Sequence, residues 1–124
     1  MRTPLSRVLH FGSARGGTDR FWLLRVTSAA NVILVTGFVI VLLASVGRPH
    51  AEVAAILGAP PVAALLALLI VSVTVHMRLG MQEIIEDYVH GEKARIAASL
   101  ANTFFAGAFA VVALIAILRL AVGA

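Results

Sequence analysis

Val53-Ala-Ala-Ile-Leu-Gly-Ala-Pro-Pro-Val-Ala-Ala-Leu-Leu-Ala-Leu-Leu-Ile-Val-Ser-Val-Thr-Val-His76-Met77 contains no Asp, Glu, Lys or Arg. Val26–Gly47 and Ile96–Leu118 share that property. Each stretch reaches the ~20 residues with which an α-helix crosses the hydrocarbon core of a bilayer. The chain has 124 residues, 60% of them hydrophobic, and a mean hydropathy of +1.00. Soluble domains of this size are far less apolar. The first stretch starts too far into the chain and runs too long for a cleavable signal peptide, and two more of its kind follow. The expected fold is all-α and integral to the membrane, with a polar N-terminal tail over 1–24 and a three-helix anchor over 25–124. Its spans cover about 26–47, 60–79 and 96–118, with a charged loop at about 80–95.

Cysteine is absent, so this chain offers no disulfide, iron–sulfur ligand or thiol nucleophile. The formal net charge is +4. In a membrane protein such an excess reports the bias of Lys and Arg toward the cytoplasm rather than a nucleic-acid partner. Arg2, Arg7, Arg15, Arg20 and Arg25 lie at or before the start of the first span, and Arg78, Lys93 and Arg95 bracket the second loop. Only Arg48 and Arg119 fall on the other side. The tail and second loop are therefore expected in the cytoplasm, and the first loop and C-terminus outside.

The tail is Gly-rich and expected to be extended until Asp19–Trp22 nears the interface, where Phe21 and Trp22 sit at headgroup depth. Gly47-Arg48-Pro49-His50 breaks the first span. Glu52–Gly58 is expected to form a helical turn before Ala59-Pro60-Pro61. Asn31 and Thr36 are expected to hydrogen-bond between helices, and the small residues Ala106, Gly107, Ala108 and Ala110 to let helices approach closely.

The chemistry concentrates in His76-Met-Arg-Leu-Gly80-Met-Gln-Glu-Ile-Ile-Glu-Asp87-Tyr88-Val-His90. An imidazole inside a membrane helix is costly unless something binds it. His76 lies two residues inside the boundary marked by Arg78, and Gly80 and Asp87 fall within about 40° of it on a helix face. A Gly one turn from a ligand His leaves room for a flat macrocycle, which makes His76 a candidate axial ligand of heme iron. The plainer alternative is a His bonded to a neighbouring helix or snorkelling toward water. His10, His50 and His90 lie outside the spans, so a second imidazole ligand would have to come from another chain.

Asp87-Tyr88 lies about 16 Å further along if the helix continues. A phenol can donate to a quinone carbonyl and a carboxylate can relay protons; the plainer alternative is an interfacial Tyr beside a solvated acid. Glu83, Glu86 and Glu92 read as the solvated face of the loop. Arg20, Arg25 and Arg78 are explained by lipid phosphates and topology, or, for Arg25, by heme propionates or a quinone headgroup.

The segment His76-x3-Gly80-Met81-x5-Asp87-Tyr88-Val89-His90 resembles the D-type hydrophobic membrane anchor of succinate dehydrogenase (succinate:quinone oxidoreductase, complex II). So does Gly12-Ser13-Ala14-x2-Gly17-Thr18 followed by Phe21-Trp22-x2-Arg25-Val26-Thr27. With the three-span layout, the resemblance covers nearly the whole chain. It implies a second three-span anchor subunit, with one heme b held between a His from each. It also implies tethering of a flavoprotein subunit and an iron–sulfur subunit to the cytoplasmic face of a bacterial inner membrane, where ubiquinone is reduced in the respiratory chain and tricarboxylic acid cycle. His76 matches the heme-ligand position, Tyr88 the tyrosine that hydrogen-bonds a quinone carbonyl, and Asp87 the acid beside it. Arg25 falls in an Arg-x-Thr element near heme or quinone. Arg15 and Asp19-Arg20 depart from the pattern, since relatives often carry less charge or a His there.

Succinate oxidation itself would occur on a partner, because no flavin or dicarboxylate motif is present. The anchor of a quinol:fumarate reductase is a close variant. A small multispan transporter is a further alternative, but it usually needs an ionisable group deep in the membrane, and every Asp and Glu here lies in the tail or loops.

Overall fold

The computed structural model describes residues 13–123, with side chains from Asp19 onward. Arg2, Arg7 and His10 lie outside the described residues, as does the side chain of Arg15. Four helices follow in order: α1 (Ser13–Ser45), α2 (His50–Gly58), α3 (Pro60–Tyr88) and α4 (Glu92–Val122). The three long ones are each apolar enough to span a membrane, and the short α2 links the first two.

Two boundaries differ from those expected. Helix α1 already runs from Ser13, where an extended chain is expected up to Asp19. Once a span is nucleated, each added residue gains a hydrogen bond for fixing one residue, which offsets the roughly 1 kcal/mol cost of a glycine such as Gly16 or Gly17. Helix α3 likewise continues through most of the stretch read as a loop and ends only at Tyr88, where the Val89 N–H donates to the Ile85 carbonyl. Nothing between Gly80 and Tyr88 breaks the helix, so the connection to α4 shrinks to residues 89–91.

The other turn is built as the sequence indicates. Gly47 takes a positive φ of 79°, a left-handed conformation that side chains with a Cβ rarely adopt. This terminates α1, and the Arg48 side chain caps its end by donating to the Ala44 carbonyl at 2.7 Å. Pro60 and Pro61 occupy the first turn of α3, where a missing N–H costs no helical bond.

Helix α3 is the centre of the molecule, packed against α1 on one side and α4 on the other; α1 and α4 do not touch among the described residues. Its apolar window is 33% buried, against 6% for α1 and for α4. The outer helices thus present Val32, Ile33, Leu43, Phe104, Phe105 and Val112 outward, as expected where lipid or another membrane chain surrounds the bundle. Leu65 packs on Gly37 of α1, a position where a Cβ would lie 2.6 Å from the leucine Cδ1. At the opposite end from Tyr88, Gly58 of α2 lies against the Leu120 carbonyl of α4, so closely that a Cβ would overlap it.

Asn31 bridges helices as expected, accepting from the Ser72 hydroxyl at 2.7 Å. Thr36 does not. It faces outward and donates back to the Val32 carbonyl of its own helix at 2.6 Å, the usual way a helical Thr satisfies its hydroxyl without a partner helix.

Candidate functional site

Residues two apart on a helix point about 200° apart, so His76 and Arg78 serve opposite neighbours. On the α4 side, Asn102 Nδ2 donates to the Arg78 carbonyl at 2.9 Å and Gln82 Nε2 to Ser99 Oγ at 2.9 Å. On the α1 side, a string of polar groups runs through the apolar bundle: Asn31, Ser72, Thr27 and His76. Thr27 and Ser72 are buried, and His76 is half-buried.

The centre of that string is the contact between Thr27 Oγ1 and His76 Nδ1, at 2.9 Å. Thr27 Oγ1 also lies 2.7 Å from the Leu23 carbonyl oxygen. A hydroxyl has one proton, and two oxygens this close without a proton between them repel, so Thr27 donates to Leu23. The bond to His76 must then run from the ring, with Nδ1–H donating to Thr27 Oγ1. This proton placement follows from the network. In the neutral ring this is the Nδ1–H tautomer, whose Nε2 carries a lone pair. Among the described residues the hydrogen bond of the ring is the one at Nδ1, and none reaches Nε2. The plainer expectation, a His bonded to a neighbouring helix, thus holds for one ring nitrogen and leaves the other unused.

Gly80 lies one turn beyond His76, half-buried, and a Cβ there would meet nothing within 4 Å. The backbone beside the imidazole therefore borders open space. No group of three or more His, Cys, Asp or Glu able to hold a metal occurs among the described residues. Any metal at His76 would need a carrier, or another chain, to complete its coordination.

Further along α3 the side chains turn polar. Glu86 accepts a 2.7 Å salt bridge from Arg20 of α1, so it does more than face solvent, and an Arg set apart as a departure proves to have a partner. Glu83 lines a cleft of about 450 Å³ with Phe21, Leu24, Arg25 and Ser28. Arg25 is exposed there, its guanidinium 5.4 Å from the centre of the Phe21 ring. Being two residues before Thr27, Arg25 sits on a different face of α1 from the one that meets His76. Asp87 and Tyr88 end α3 and are both exposed, Tyr88 at 75%. Neither has a side-chain hydrogen-bond partner among the described residues, and the chain by itself does not enclose them.

Thr27 and Ser72 have no individual role in a reading of the sequence; Thr27 enters only as the last residue of a matching block. A polar residue every four or five positions along two apolar segments is the available signal. Its pairing across helices is not.

Three helices long and apolar enough to cross a membrane, the central one carrying a half-buried imidazole and a polar end, define a multi-pass membrane protein. Comparison with known proteins gives the family: the model of the succinate dehydrogenase/fumarate reductase transmembrane subunit matches residues 1–117, and the chain belongs to that family. A succinate dehydrogenase hydrophobic membrane anchor subunit from Paracoccus denitrificans is 31% identical over 122 residues, spanning 98% of this chain and 94% of the relative. No solved structure matches. The chain is accordingly a membrane anchor within an oxidoreductase complex of the respiratory chain.

Proposed function

We propose that this chain is the D-type anchor of a succinate dehydrogenase, in which His76 supplies one axial ligand to a b-type heme. The observation that supports the reading is the Thr27–His76 contact, because with the Thr27 hydroxyl donating to the Leu23 carbonyl it favours a proton on Nδ1 and an Nε2 lone pair free for iron. Neutral imidazole with its second nitrogen hydrogen-bonded is the form in which His binds metals. Open space at Gly80 fits the edge of a flat macrocycle. A heme needs only axial ligands from protein, which suits a chain with one intramembrane His, and the second ligand falls to a second anchor subunit covering the exposed apolar faces. When bound, the heme supplies one-electron transfer within the bilayer.

Asp87 and Tyr88 form this chain's share of a ubiquinone-reduction site. The Tyr88 hydroxyl donates to a quinone carbonyl, and Asp87 passes protons from water to the reduced oxygen. Since Tyr88 is exposed, the remaining walls come from partners, the iron–sulfur subunit among them, with the flavoprotein subunit beyond it oxidising succinate. Arg25 and Glu83 line the nearby cleft, where the cation suits a heme propionate or the quinone headgroup. The Arg-rich tail and the residues 89–91 turn face the cytoplasm of a bacterial inner membrane, the side on which soluble subunits dock. The direction of the reaction follows the relative's name; a quinol:fumarate reductase anchor would use the same residues. A transporter is disfavoured because all six acids, Asp19, Glu52, Glu83, Glu86, Asp87 and Glu92, are exposed rather than enclosed in the bundle.

A dithionite-reduced minus oxidised visible spectrum of the purified complex tests this reading. The wild type is expected to show a b-type signal and His76→Ala to lose or weaken it. An unaltered spectrum in the variant removes the ligand role.

A further inference from the structure

We infer that Thr27 is the positioning residue of the heme ligand. Through the relay His76 Nδ1–H to Thr27 Oγ1 to the Leu23 carbonyl, it sets both the tautomer and the plane of the imidazole. The inference rests on the heme reading above and adds a residue to it from a different helix.

Left to itself, a neutral imidazole carries its proton on either nitrogen, and only the Nδ1–H form offers Nε2 to a metal. It also rotates about its bond to Cβ, and that terminal torsion is broad. Thr27 removes both freedoms. Its Oγ1 lies 2.9 Å from Nδ1. It is held by its 2.7 Å bond to Leu23, one turn back on α1, and by burial, since Thr27 is only 8% exposed. Because the hydroxyl proton is committed to a backbone carbonyl, Thr27 faces the ring as an acceptor. An acceptor on Nδ1–H draws the proton outward and makes Nε2 a stronger donor to iron. Stronger donation stabilises ferric over ferrous iron. Loss of the hydroxyl should therefore raise the heme midpoint potential and free the ring to turn. Partners of this kind typically contribute about ten- to a hundred-fold to the affinity of the ligand they orient.

The test uses the assembled complex with wild-type, Thr27→Val, Thr27→Ala and Thr27→Ser chains. Three quantities are read: heme per complex after dilution in detergent, the heme midpoint potential, and the position of the low-spin ferric signal in electron paramagnetic resonance, which reports ligand-plane orientation. Thr27→Val, which keeps the shape and removes the hydroxyl, is expected to lose heme about ten- to a hundred-fold more readily, with a raised potential and a displaced ferric signal. Thr27→Ala should do the same and decides the matter if the Val chain does not assemble. Thr27→Ser keeps the hydroxyl and should restore all three values.

Wild-type values in the Val or Ala complex would overturn the inference while leaving His76 as ligand. So would a Ser complex as altered as the Val one, since the effect would then come from the methyl group. Absence of heme from the wild type, or its retention unchanged in His76→Ala, would instead overturn the heme reading itself.

Discussion

Tyr88 and Thr27 show how differently two hydroxyls act in one chain. The Thr27 hydroxyl is buried and wholly committed to neighbours on two helices. The Tyr88 hydroxyl stands exposed at the end of α3 and is available to something that arrives. Replacing Tyr88 by Phe keeps the ring and removes only the donor. A single hydrogen bond of about 1 kcal/mol is worth roughly five-fold in rate. Succinate-dependent quinone reduction by Tyr88→Phe complex is accordingly expected to fall about that much, with heme content and subunit ratio unchanged. Full turnover would show that Tyr88 is an interfacial aromatic and no more. The 2.7 Å Arg20–Glu86 pair is also partly exposed, with side chains 32% and 39% accessible. Such a pair adds little stability; it links α1 to α3 beside the cleft.

Between elements, close approach matters more than hydrogen bonding. The Ser72–Asn31 bond joins α1 to α3, yet interhelical bonds of this kind in membranes average only about 0.6 kcal/mol. Ser72→Ala should therefore cost about that much and leave the complex assembled, as judged by thermal unfolding in detergent. Gly58 is a different case. Its α-carbon rests against the Leu120 backbone carbonyl of α4, and a backbone cannot rotate out of the way as a side chain does. Gly58→Val should push α2 off α4 and destabilise the protein by about 1–3 kcal/mol, the usual range for forced overpacking. Since α2 lies at the end of the bundle away from Tyr88, the heme spectrum of this variant is expected to remain that of wild type. A melting curve identical to wild type would mean that α2 does not pack on α4 in the membrane.

For the whole molecule, the arrangement is a central helix flanked by two helices that do not meet among the described residues, which leaves much of the apolar surface uncovered. This geometry suits a subunit whose neighbours complete it. Its proposed orientation, tail and 89–91 turn in the cytoplasm, rests on the charge asymmetry. Because the chain has no cysteine, single substitutions report topology cleanly. Cysteine at His90 should react with a membrane-impermeant maleimide only from the cytoplasmic side, and cysteine at Val122 only from outside. The reverse pattern would place Tyr88 on the wrong side for a cytoplasmic succinate-oxidising module.

The number of spans and their order were legible in the sequence, because a bilayer imposes a length and an apolarity on each segment separately. Helix-face arithmetic likewise put Gly80 and Asp87 on the same face of α3 as His76, Gly80 one turn on and Asp87 three, since 100° per residue is a local property. Local pattern misjudged where helices end, at Ser13 and Tyr88, because propagation carries a helix past its apolar stretch. Thr27 meeting His76 across 49 residues of sequence is of another kind. It depends on the rotation and vertical offset of α1 against α3, in which contacts such as Leu65 on Gly37 take part. No segment carries that register alone. Apolar residues of similar size pack in more than one offset, and only the joint fit of both helices selects the one that brings a hydroxyl to the imidazole.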